Sequence, residues 1–174
     1  RSRRWHCSVP VLSIGNLTLG GTGKTPLGIA LARGLEARGW RVAVLLRGYG
    51  TRRRNPCLVS SSSSCAEVGD EALEYAQSLG EGVAWVGSNR RQSAALAVAA
   101  GATVILLDDG LQHWRLGRDL DLSLLDRKHG LGNRLVFPAG PLREPLDQLA
   151  RADGLVFTGA EPVEPLPPMP VGWP

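Results

Sequence analysis

Gly20-Gly21-Thr22-Gly23-Lys24-Thr25 is the run that decides how this chain folds. Just before it, residues 9–14 are apolar and β-branched, which predicts a buried strand ending at Gly15. Just after it, Pro26 suits the first turn of a helix, where its missing N–H costs nothing. Leu27, Ile29, Ala30, Leu31 and Leu35 then recur at helical spacing, and Gly39 is placed to stop that helix. A glycine-rich loop between strand and helix curls so that successive N–H groups face phosphate oxygens. The helix start adds its positive end. Thr18, Gly20, Gly21, Thr22, Gly23, Lys24 and Thr25 are therefore expected to cradle the phosphates of ATP. Lys24 would reach the β- and γ-phosphates, and the Thr25 hydroxyl would be a ligand for Mg²⁺. The general pattern G-x-x-x-x-G-K-[ST] asks for glycine at position 18, where this chain has Thr18. The competing reading is a plain glycine turn at a strand end.

Outward from this loop, strands are predicted at 42–46, 83–86, 103–107, 120–125 and 155–157, with a short one within 57–60. Helices are predicted at 70–79 and 92–100, and a short one after Pro145. Residues 47–64 read as loop. Alternation of strands and helices predicts an α/β fold of the P-loop NTPase kind, a mostly parallel sheet with helices on both faces. A length of 174 residues fits one such domain, expected over 1–160. Pro162, Pro165, Pro167, Pro168, Pro170 and Pro174 exclude regular structure in 161–174, which is expected to be a tail or linker.

Net charge is +4, but it is unevenly spread. Residues 1–54 hold 11 Lys and Arg against one acid, Glu36, and the rest of the chain carries a balance of −6. An anionic partner suits that asymmetry, although a solvated arginine-rich surface also explains it. Cys7, Cys57 and Cys65 form no C-x-x-C pair, which argues against a disulfide framework or a cysteine metal site. No apolar run approaches the ~18 residues of a membrane span, and the arginine-rich start lacks a signal peptide's apolar stretch. There is no initiator Met, so the chain is expected to begin inside a longer protein.

Further motifs fall at predicted strand ends. Asp108-Asp109 follows an apolar strand, the position of the carboxylate that holds Mg²⁺ in P-loop enzymes. Gly110-Leu111-Gln112-His113 comes directly after, which favours His113 as an active-site group over a structural one. Pro138-Ala139-Gly140-Pro141-Leu142-Arg143-Glu144-Pro145 is a proline-fixed loop in which Arg143 can clamp a phosphate and Glu144 can assist Mg²⁺. Arg47-Gly48-Tyr49-Gly50, taken alone, is more often a turn than a site. Val68-Gly69-Asp70-Glu71, taken alone, reads as a helix start with Asp70 as its cap.

Taken together and in order, these strings, with Ser13-Ile14-Gly15-Asn16-Leu17-Thr18, resemble the tetraacyldisaccharide 4'-kinase family over residues 9–158. Thr18 in place of glycine is itself a feature of that family. The resemblance implies a lipid kinase that transfers the ATP γ-phosphate to the 4'-hydroxyl of a tetraacylated disaccharide 1-phosphate, giving lipid IVA. It implies work at the cytoplasmic face of the Gram-negative inner membrane, with no nucleic-acid partner. Lys24 and Thr25 match phosphate and Mg²⁺ ligands, and Asp108 and Asp109 match Mg²⁺-side carboxylates. Asp70 matches the acid that deprotonates the sugar hydroxyl, which overrides the capping reading. Gln112, His113, Arg143 and Glu144 match further active-site positions. The family also has an N-terminal membrane-associating helix and a second lobe that supplies a His to pair with the catalytic Asp. On that comparison the chain is expected to bind nucleotide and to be a poor lipid kinase by itself. A rival from another class is a P-loop regulatory ATPase, or a nucleotide-holding fragment, without lipid kinase activity.

Overall fold

The computed structural model describes residues 4–48, 50, 55–60 and 62–159. Tyr49, the arginine triplet 52–54 and the proline-rich 161–174 lie outside the described residues. Seven strands form one sheet in the order β3-β4-β2-β5-β1-β6-β7. They are β1 Val11–Asn16, β2 Val42–Leu46, β3 Cys57–Leu58, β4 Ala84–Val86, β5 Val104–Asp108, β6 Leu120–Asp126 and β7 Gly154–Thr158. All neighbours run parallel except the two-residue edge strand β3. The helices are α1 Lys24–Glu36, α2 Cys65–Val68, α3 Asp70–Leu79 and α4 Arg90–Ala99, followed by a 3₁₀ turn at Leu146–Arg151.

Strand residues alternate between two cores, as a sheet covered on both faces requires. Val42, Val44, Leu46, Val104 and Leu106 pack with Ala32 of α1 and with Ala72 and Tyr75 of α3. Ala43, Leu45, Ile105 and Leu107 pack on the other face with Ala94 and Ala97 of α4. A third cluster, Leu17, Leu111, Leu125, Leu131, Leu142 and Leu149, secures the long segment after β6 against the sheet. From β1 the chain passes through α1 to β2; from β4 it returns through α4 to β5, in the opposite direction across the sheet. Right-handed crossovers in opposite directions place α1 and α4 on opposite faces.

Most boundaries shift by a residue or two from the expected ones, and two of these shifts matter for the site. β1 does not stop before Gly15: pairing of Gly15 with Ser123 and of Asn16 with Leu124 carries it two residues further. β5 includes Asp108, because that residue pairs with Ile14. The strand feeding the glycine loop and the strand ending in the acid pair thus finish side by side, at the carboxyl edge where open α/β sheets bind ligands. The helix expected to open at Pro26 opens at Lys24, which leaves Pro26 in the first turn.

Candidate active site

Gly20 and Gly23 take positive φ, 103° and 77°, a conformation that glycine reaches without steric cost and that lets the loop turn back into α1. At the head of α1, the Lys24 Nζ donates to Asn16 Oδ1 at 3.0 Å and lies 3.7 Å from Asp109 Oδ1. Asn16 also donates from Nδ2 to the Thr18 carbonyl at 2.7 Å. Thr18 is buried and forms an antiparallel bridge to Leu142. The loop is therefore tied at its base to the 138–145 segment: the Arg143 amide donates to Leu17 O at 2.7 Å, and the Leu19 amide to Pro141 O at 2.7 Å. Thr25 is half-buried in the first turn of α1.

Arg143 extends this tie into an ion-pair network. Its Nε donates to Thr18 O at 3.2 Å, and its Nη1 meets both oxygens of Asp109 at 3.0 and 2.9 Å. Asp109 stands between Arg143 and Lys24, on a backbone with φ of 52°. Asp108, 3% exposed, accepts from the Asp109 amide at 2.8 Å. Burial, joined by the neighbouring Glu71 and Asp109 carboxylates, pushes Asp108 up to about 7 against the pull of Lys24. Glu71 is shifted upward too, first by partial loss of water and against Lys24. As a residue it remains exposed, so its shift is the weaker of the two.

These groups surround one cleft of about 440 Å³. Lys24 and Leu19 enter it from the glycine loop, and Asp108 and Asp109 from the end of β5. Arg47 and Gly48 follow β2, Arg143 comes from the proline-fixed loop, and Asp70 and Glu71 open α3. The N-cap of α3 is Gly69, and among the described residues the Asp70 carboxylate accepts from the adjacent Glu71 amide, at 3.0 Å. Asp70 is thus free of the capping role that its sequence position suggested.

Other expected members stand outside the cleft lining. Glu144 turns away and pairs with Arg151, whose guanidinium stacks on Trp114 at 3.9 Å. Gln112 donates to Asn16 O at 3.2 Å and braces the end of β1. His113 is half-buried with its Nε2 unpaired among the described residues. Burial first, and then Arg90, Arg118, Arg115 and Arg47, hold its imidazole down to about 4. It is therefore neutral at neutral pH. No group of three or more His, Cys, Asp or Glu able to hold a metal ion occurs among the described residues.

Asn16, Arg47 and Glu71 join the site although sequence reasoning gave them no role. Asn16 carried one signal, a polar residue closing an otherwise apolar strand. Arg47 and Glu71 lay inside quoted motifs; the place of Arg47 after the second strand already put it at the edge of the glycine loop, whereas only the fold brings Glu71 there.

Comparison with known proteins gives the family and the fold. The family model described as tetraacyldisaccharide-1-P 4'-kinase matches residues 1–167. The chain is similar to the tetraacyldisaccharide 4'-kinase of Alkalilimnicola ehrlichii, 50% identical over 161 residues, which are 92% of this chain and 48% of that protein. It is 47% identical over 158 residues to the protein of the same name from Ectopseudomonas mendocina, covering 90% of this chain and 47% of that one. Among solved structures, the "apo" form of LpxK from Aquifex aeolicus in complex with ATP matches with a TM-score of 0.84 at 37% identity. That match covers 97% of this chain and 54% of the other. The chain spans about half the length of the curated relatives it matches.

Proposed function

The chain belongs to the tetraacyldisaccharide-1-P 4'-kinase family, and from that premise we propose that its cleft binds ATP for transfer of the γ-phosphate to the 4'-hydroxyl of a tetraacyldisaccharide 1-phosphate, with lipid IVA as product. The observation that carries this reading is the cleft itself. It joins phosphate-directed groups from the glycine loop, β5 and the 138–145 loop to the Asp70 carboxylate, which heads α3 without capping it.

Phosphoryl transfer asks the protein for positioning and charge neutralisation more than for covalent chemistry. Lys24 and the loop amides hold the β- and γ-phosphates. Arg143, fixed by Asp109 and by Thr18 O, supplies a second cation beside them. Asp70 takes the proton of the acceptor hydroxyl as its oxygen bonds to the γ-phosphorus and the bond to ADP breaks. Mg²⁺ fits the donor set: Asp108 is a buried carboxylate at the end of β5 that lines the cleft, and Thr25 offers a hydroxyl at the head of α1. Those two residues would hold the ion, which supplies charge neutralisation at the phosphates. Asp109 supports them through its ion pairs with Arg143 and Lys24, and Glu144 through its pair with Arg151. Gln112 and His113 support the loop from behind. The acceptor is a lipid, so the reaction is placed at the cytoplasmic face of the inner membrane. We take residues 1–160 as the nucleotide-binding lobe and the proline-rich 161–174 as a tail or linker.

Incubation with γ-labelled ATP and the disaccharide lipid tests the reading. Label in the lipid is the expected result, at whatever rate this chain sustains. ATP binding with no label transferred would leave a nucleotide-holding protein instead.

A further inference from the structure

Residues 132–139, Gly-Asn-Arg-Leu-Val-Phe-Pro-Ala, are exposed without interruption. Three large apolar side chains stand together there: Leu135 is 52% exposed, Val136 36% and Phe137 65%. The tip is not loose. The Phe137 amide donates to Leu142 O at 2.8 Å and the Leu142 amide to Leu135 O at 3.1 Å, while Asn133 Nδ2 closes onto Ala139 O at 2.8 Å. Leu142 is fully buried and bridges to Thr18, so the apolar tip stands on the glycine loop itself.

Charge along this segment of the chain has one sign. Residues 127–143 contain Arg127, Lys128, Arg134 and Arg143 and no Asp or Glu. Arg143 is occupied by Asp109, but Arg127, Lys128 and Arg134 are exposed, with no carboxylate partner among the described residues. Asp126, the nearest acid in sequence, is paired with His129. An exposed apolar tip in a segment that also carries the exposed cations Lys128 and Arg134 matches the boundary of an anionic bilayer, where large side chains enter the acyl region and Lys and Arg meet lipid phosphates. Eight exposed residues also fall well short of the roughly 20–30 per side of a stable protein interface.

We propose that the 132–139 loop, with Lys128 and Arg134, docks this protein on an anionic lipid bilayer. Docking through a loop built on the glycine loop sets the cleft at the membrane surface. Only this purpose rests on the lipid-kinase reading; the docking itself needs neither nucleotide nor acceptor, so it can fail without that reading failing.

The test is co-sedimentation of the 174-residue chain with phosphatidylcholine vesicles made with and without phosphatidylglycerol. Binding is expected only where the anionic lipid is present, and weaker in high salt. Leu135→Asp with Phe137→Asp should lower it at least about tenfold. Lys128→Glu and Arg134→Glu should each lower it by about fivefold or more. Leu135→Ser with Phe137→Ser is the milder pair, and unchanged melting and ATP affinity verify that each variant is folded. Failure of the unaltered chain to bind anionic vesicles overturns the proposal, as does undiminished binding by both loop variants. A loop variant that turns a dimer into a monomer while keeping its vesicle binding also overturns it, in favour of contact between two copies.

Discussion

A helix cap accepts hydrogen bonds from amides two and three residues further on. Asp70 does not: Gly69 occupies the cap position, and among the described residues the Asp70 carboxylate receives the adjacent Glu71 amide. Asp70→Asn should therefore not incur the ~1 kcal/mol of a lost cap. It should melt within a degree or two of the parent, yet lose on the order of 10²–10⁴ in kcat as a missing general base does. Thermal melts alongside steady-state kinetics of lipid phosphorylation, with the substitution made in the complete enzyme, decide it; an early-melting variant with normal kcat would restore the capping role. His113 gives a second test at this scale. Its pKa falls from 6.5 in the open chain to about 4 in the fold, so the unfolded state binds the extra proton between those values. Stability is then fully present above 6.5 and is lost as pH falls toward 4. His113→Gln, neutral throughout, should melt with a shallower decline over that window. Parallel declines for the two proteins would mean that the imidazole does not titrate as its surroundings require.

The pairing of α1 with α3 turns on a residue that looks like a flaw. Glycine inside a helix costs about 1 kcal/mol relative to alanine. Gly28 nevertheless sits mid-helix in α1, because a Cβ there would stand 1.9 Å from the Tyr75 hydroxyl and 2.8 Å from Cζ. Tyr75 is fully buried and cannot swing aside. Its hydroxyl is shifted upward by burial first and then by Asp108, so the same side chain reaches from α3 toward the buried acid of β5. Gly28→Ala should destabilise the chain by about 1–3 kcal/mol in urea unfolding, the clash outweighing the better helix propensity. Adding Tyr75→Phe removes the closest atom and should recover part of that loss. A Gly28→Ala chain more stable than the parent would contradict this packing. Nothing in the periodicity of α1 could announce the contact, since its partner lies 47 positions away in sequence. α2 was legible and passed over: Ser64 with Glu67 is a capping-box spacing, and the Glu67 carboxylate accepts from the Ser64 amide at 3.2 Å and hydroxyl at 3.0 Å.

Over the whole molecule, local signals specified the elements and long-range pairing specified the site. The strand at Val42–Leu46 and the helix at Asp70–Leu79 were readable to the residue, from apolar runs and from glycines at their ends. The glycine loop, the acid pair and the proline-fixed loop were each readable as motifs. Their convergence was not, since it depends on Ile14 meeting Asp108 across β1 and β5 and on Leu142 meeting Thr18. The same fold pairs Glu144 with Arg151 and Gln112 with the Asn16 carbonyl, which spacing along the chain could not reveal. The central claim is that these pairings build a phosphate site around Lys24, whose ammonium is held between Asn16 and Asp109 in readiness for a triphosphate. Calorimetric titration of Mg-ATP into the 174-residue chain and its Lys24→Ala variant tests it most directly. A charge-assisted hydrogen bond contributes about 1.5–3 kcal/mol, so the parent should bind and the variant should bind at least about tenfold more weakly. Equal affinities in the two proteins, or no binding by the parent, would contradict the account.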